Sequence, residues 1–135
     1  MKRLFLLFTF ISFLGFSQEK YLTKSGLLNF EASVPSFEEI KATNTNVTAI
    51  FNVGTGQFAT LALVRGFRFK NALMEEHFNE NYMESSKYPK ATFVGNIQDF
   101  KYEDLTNTEN NYDIVGVLAI RGVEKSVTIS GRMQK

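Results

Sequence analysis

Val47-Thr48-Ala49-Ile50-Phe51-Asn52-Val53-Gly54-Thr55-Gly56-Gln57-Phe58-Ala59-Thr60-Leu61-Ala62-Leu63-Val64 reads as two strands and the turn between them. Successive side chains of a strand point to opposite faces, which puts Val47, Ala49, Phe51 and Val53 on one side. Gly54-Thr55-Gly56 is a turn signal and Phe58 to Val64 is the returning strand, so 47–64 is a predicted β-hairpin. Upstream, Gly26 to Ser33 alternates after its first residue, with Leu28, Phe30 and Ala32 on one face and Asn29, Glu31 and Ser33 on the other. Downstream, Ala91 to Phe100 and Tyr112 to Arg121 are candidate strands separated by the polar stretch 101–111. Lys125 to Arg132 follows a tight connection at Gly122-Val123-Glu124. Several short strands with turn signals predict a barrel or a sandwich. Many of them are apolar on both faces, which suits a barrel with one face lining a cavity and the other packed beneath helices or loops.

One segment breaks the two-residue period. From Asn71 to Met83 the apolar residues are Leu73, Met74, Phe78 and Tyr82, the last three spaced i, i+4, i+8 as on one side of a helix. Pro89 closes the segment, because the residue before a proline avoids helical angles. The stretch 38–41 after Pro35-Ser36 fits a helical turn or a connection equally well.

The N-terminus has its own logic. Lys2 and Arg3 precede an uncharged, mostly apolar run from Leu4 to Phe16, and Gly15-Phe16-Ser17 puts small residues where a signal peptidase reads. The run is shorter than the roughly 20 apolar residues of a spanning helix. The expected organisation is therefore a secretory signal over 1–17 and one domain over 18–135. The signal takes five of the 14 Phe and two of the 15 basic residues, leaving nine Phe and 13 basic against 14 acidic residues. A near-neutral surface has no long-range attraction for phosphate backbones.

Chemistry is sparse. With no Cys there is no thiol nucleophile, disulfide or Cys-based zinc site. Arg65-Gly66-Phe67-Arg68-Phe69 opens like the aromatic strand of an RNA-binding module, yet that signature needs Gly or Ala where Arg68 stands and an aromatic where Asn71 stands. No nucleic-acid partner follows; a strand with Phe67 and Phe69 inward and both Arg in water does. Glu75, Glu76, His77, Glu80 and Glu84 surround the one His, but a metal wants three convergent ligands with support behind them, and a solvated helix face explains the cluster more simply. There is no G-x-S-x-G elbow and no Lys-Ser/Thr after Gly54-Thr55-Gly56, so neither nucleophilic catalysis nor a phosphate loop is indicated. No metal, no cofactor and no enzymatic activity are expected.

The run Ala72-Leu73-Met74-Glu75-Glu76-His77-Phe78-Asn79-Glu80-Asn81-Tyr82-Met83-Glu84-Ser85, then Lys87-Tyr88-Pro89-Lys90-Ala91-Thr92-Phe93, strongly resembles the YceI-like family. So does Val115-Gly116-Val117-Leu118-Ala119-Ile120-Arg121-Gly122-Val123-Glu124-Lys125-Ser126-Val127, and the likeness runs from about Tyr21 to Gly131. The resemblance implies a periplasmic, lipocalin-like antiparallel β-barrel with one short helical segment around 71–84. It also implies binding of long polyisoprenoid chains, quinone tails included, in an elongated apolar cavity, without enzymatic activity. Family members continue beyond the position of Gly131 with further strands. The expectation for this chain is then a shortened and open barrel, a barrel closed by another route, or a fragment. An open edge invites pairing with another chain, so a homodimer that completes the barrel is also expected.

The expected ligand is an apolar, isoprenoid-like lipid. The ligand-binding candidates are the inward strand positions Leu28, Phe30, Phe51, Phe67, Phe69, Phe93 and Leu118, with Met74, Phe78 and Tyr82 as a helical lid or a seal over the core. A slip of one residue in any strand would exchange inside and outside. The competing expectations are a small structural or interaction module of the envelope with a filled barrel, and, more remotely, a metal-dependent enzyme at His77.

Overall fold

The computed structural model of the protein describes residues 19–32 and 39–135. Seven strands form one antiparallel sheet: β1 (Lys20–Glu31), β2 (Lys41–Asn52), β3 (Gln57–Leu63), β4 (Arg68–Phe69), β5 (Lys90–Ile97), β6 (Asn110–Ile120) and β7 (Val123–Met133). Their spatial order is β1-β2-β3-β5-β6-β7, with the two-residue β4 set against β2. β1 and β7 are the outermost strands and do not pair with each other, so the sheet is a mainly-β, lipocalin-like barrel that is not closed among the described residues. The expected signal over 1–17 lies outside the described residues.

Turn chemistry sets the register. Asn52 accepts the backbone N–H groups of Gly54 and Thr55 through its Oδ1, at 3.0 and 3.3 Å, which folds the chain from β2 into β3. Between β6 and β7 only Arg121 and Gly122 intervene, both with positive φ (51° and 72°), the two-residue turn whose twist matches that of the flanking strands.

Paired residues share a face, so the register defines the two surfaces of the sheet. One row of the inner face runs Tyr21, Phe51, Phe58, Gly95, Gly116, Val127. The next runs Thr23, Ala49, Thr60, Phe93, Leu118, Lys125. Gly95 and Gly116 face each other across β5 and β6, and the strands approach closely there. A Cβ built on Gly116 would stand 2.4 Å from the Val94 carbonyl oxygen and 2.8 Å from the Phe93 ring. The pair lets the sheet bend sharply, and Phe93 lies over the gap that the missing side chains leave.

The helix α1 (Ala72–His77) runs into a single π-type turn over Phe78–Tyr82. It crosses the inner face beside β4 and seals a small core of Ala42, Val47, Ala62 and Phe67, with Phe69 and Phe78 packed on it.

Three expectations are corrected. Arg65 to Phe69 is not one strand: Val64–Gly66 is a 3-10 turn and only Arg68–Phe69 pairs with β2. The buried Asn44 causes this, since its Nδ2 donates to the Leu63 carbonyl and Gly66 is pressed against its amide. The helical stripe does not reach Tyr82 either. The i→i+5 bond from Met83 N–H to the Phe78 carbonyl widens the last turn, and Tyr82 swings into solvent at 70% exposure instead of acting as a lid. Finally, β1 begins at Lys20 and not at Gly26, with register shifts on both sides of Gly26. Replacing Gly116 with Val should destabilise the protein by about 2–3 kcal/mol, because the added branches meet backbone that has no room to move. Denaturant unfolding monitored by circular dichroism measures this, and an unchanged midpoint would refute the close approach.

Candidate functional site

Five of the expected positions are inner-face strand residues of the main path: Leu28 and Phe30 on β1, Phe51 on β2, Phe93 on β5 and Leu118 on β6. Phe69 joins the same face through its pairing with Ala42. Phe67 sits in the link between the 3-10 turn and β4, and is buried. Met74 is half-buried on α1.

These residues do not gather in one cluster. At one end of the inner face Phe78 touches three other rings, with centroid separations of 5.9 Å to Phe30, 5.8 Å to Phe67 and 4.9 Å to Phe69. Tilted and edge-on contacts of this kind add to area burial, because the ring edge is positive and the face negative. At the opposite end Phe51 meets Phe100 edge-on at 5.0 Å, and Phe100 leans on Tyr112 at 6.0 Å. Phe93 and Leu118 lie side by side in the row between the two aromatic ends. Phe100 and Tyr112 are additions that sequence reading missed. Tyr112 was visible as the first residue of an alternating strand, whereas Phe100 was read as the end of the strand from Ala91, and β5 in fact stops at Ile97, beyond which its alternation no longer applies.

The helical segment is fastened at both ends, and that decides which part of the inner face it covers. Asn71 caps α1 by accepting the N–H groups of Leu73 and Met74 through its Oδ1. Glu75 accepts from Arg68 Nη1 at 2.8 Å and from the Phe69 backbone N–H at 3.1 Å, which ties α1 to β4. At the far end Glu84, in the left-handed conformation, accepts from Arg121 Nε and Nη2 at 3.2 and 2.9 Å. Gly122 packs under the Tyr88 ring, 2.8 Å from the position a Cβ would take. Both ion pairs are partly exposed, so they fix geometry more than they add stability.

What the segment leaves open is mostly apolar, with the charged Lys125 at its β7 margin beside Leu118. Leu28 and Phe30 on β1, and Ile120, Val123 and Ile129 towards β7, are inner-face residues that remain exposed. Ile97, Ile114 and Ile129 form a further apolar row across β5, β6 and β7. Polar groups stand at the margin: Tyr21 donates to Glu19, and its phenol is held above the usual tyrosine range first by hydrogen bonding with Tyr102 and then by the Glu19 charge. A separate open hollow of about 380 Å³ beside α1 is lined by Arg65, Lys70, Glu75, Glu76 and Glu80 among others. It shares only Phe69 with the expected ligand positions, and its charges do not suit an apolar guest. Among the described residues no three His, Asp or Glu side chains are grouped as a metal would need.

Comparison with known proteins agrees with this architecture. Residues 17–135 match the YceI-like domain. A polyisoprenoid binding domain from Saccharophagus degradans implicated in plant cell wall breakdown superimposes with a TM-score of 0.74 at 13% identity, covering 87% of this chain and 68% of that one. The YCEI protein of Campylobacter jejuni gives a TM-score of 0.56 at 16% identity, covering 75% of this chain and 59% of its own. At such identities the likeness is one of fold, and this chain spans between 59 and 68% of the length of those two proteins. No curated protein is significantly similar to it.

Phe78 is the group on which the segment depends. Phe78→Ala should cost about 3 kcal/mol and release α1 while most of the strand signal survives. Hydrogen exchange of the amides from 72 to 83 reads that release; protection equal to the parent protein's would contradict it.

Proposed function

The chain belongs to the YceI-like domain family, and we propose on that premise that it is a carrier for an apolar, chain-like lipid of the polyisoprenoid or quinone type. The observation that carries the reading is the inner face of the sheet: a bent apolar surface, aromatic at both ends, of which the helical segment covers only one part. A prenyl tail laid along it would be stabilised by roughly 25 cal/mol for each Å² of apolar surface removed from water. Such a guest asks for no charge, metal or nucleophile. Leu28, Phe30, Phe51, Phe69, Phe93 and Leu118 would line the bound tail, while Phe67, Met74 and Phe78 hold the wall of the site. The polyisoprenoid binding of the structurally similar domain from Saccharophagus degradans supports the choice of ligand class.

The reading includes export and a non-enzymatic role. A basic start followed by an apolar run and a small-residue cleavage site suits a secreted or periplasmic carrier. A filled barrel acting as a structural module is less well supported, because Leu28, Phe30 and Ile129 stay exposed on the inner face instead of packing solid.

Competition of geraniol, farnesol and geranylgeraniol against a fluorescent apolar probe tests the proposal. Burying only two further methylene equivalents is about 1.6 kcal/mol, so each added isoprene unit should tighten binding by about tenfold until the face is filled. Leu118→Lys should weaken farnesol binding more than tenfold. Equal affinity for the three alcohols would overturn the reading, whatever the variant does.

A further inference from the structure

The outer face of the sheet is also apolar, and the register aligns its side chains. Leu22 pairs with Ile50, Ile50 with Ala59, Ala59 with Val94 and Val94 with Val117, one unbroken row across five strands. Leu22, Ile50, Val94 and Val117 are 59, 42, 47 and 40% exposed. The row on one side contributes Thr48, Leu61, Thr92 and Ala119; the row on the other contributes Gln57, Asn96, Val115 and Thr128. Charge stands at the rim of these rows, at Lys20, Lys90, Asp113 and Glu124. Every Phe of the seven strands lies on the inner face.

We propose that this outer face is an interface on which a second copy of the chain packs sheet against sheet. Five strands at about 4.8 Å and three rows along them make a patch of about 500 Å². That is the size of the apolar centre of a stable interface, which needs about 800 Å² per partner with a polar rim around it. Short aliphatic and Thr side chains without charge interdigitate well between stacked sheets. A bilayer surface would call for interfacial aromatic residues, and the patch has none. A bent, twisted sheet is saddle-shaped, and a saddle fits a copy of itself turned through about a right angle. Edge pairing through β7, the other route to a dimer, would leave this patch in water.

Sedimentation velocity of the purified protein from 1 to 100 µM tests the interface. The expected result is a dimer that Val94→Lys weakens at least tenfold while circular dichroism stays unchanged. Ile50→Thr, which keeps β-branching and the fold, should weaken it less. A protein monomeric throughout the range overturns the proposal, and so does a dimer indifferent to both variants, which would place the contact at an edge. A monomer that floats with neutral phosphatidylcholine vesicles would assign the face to a bilayer and overturn it equally.

Discussion

The contact of the Phe78 ring with Phe30, Phe67 and Phe69 is what the remaining architecture depends on. It joins β1, the 67–69 stretch and the helical segment in one apolar knot, so that a bent sheet with an apolar inside gains a partial cover. The ion pairs at Glu75 and Glu84 then determine where that cover stops. Without the knot the cluster beneath the helical segment would shrink to Ala42, Val47 and Ala62, small side chains that bury little area, while Val64, Phe93 and Ile97 are buried apart from it.

The bend of the sheet is the second constraint. It is set where Gly95 faces Gly116, with Phe93 laid over the gap, so the residues that curve the sheet also shape the surface offered to a guest. The same curvature makes the outer face a saddle. The inner face is aromatic, with large rings at its ends. The outer face is short, aliphatic and uncharged at its centre. The two faces therefore suit different company: a flexible chain inside, a second sheet outside.

Much of this was legible in the sequence, for a physical reason. Wherever a strand had two neighbours and one buried face, as in Val47 to Val53, the alternation of side chains gave its orientation, though β2 begins earlier, at Lys41. The places that were not legible are those where burial does not alternate. The start of β1 is an edge with exposed residues on both faces, so Lys20 to Ser25 carries no period. The start of β2 hides Ala42 and Asn44 among polar residues, because Asn44 is buried through its bond to the Leu63 carbonyl and not through hydrophobicity. The π-type turn depends on one backbone bond, Met83 to Phe78, for which Met74, Phe78 and Tyr82 give no warning. The inner-face positions could be read one strand at a time, whereas their separation into two aromatic ends required the register. Phe100 joined the far end from a turn, where no pattern points inward.

The account stands or falls on whether the inner face holds a lipid in the cell. Organic extraction of the protein purified from its native host, followed by mass spectrometry, asks this directly. The account predicts an apolar, isoprenoid-type chain at close to one molecule per protein chain. A folded protein that yields no lipid would contradict it.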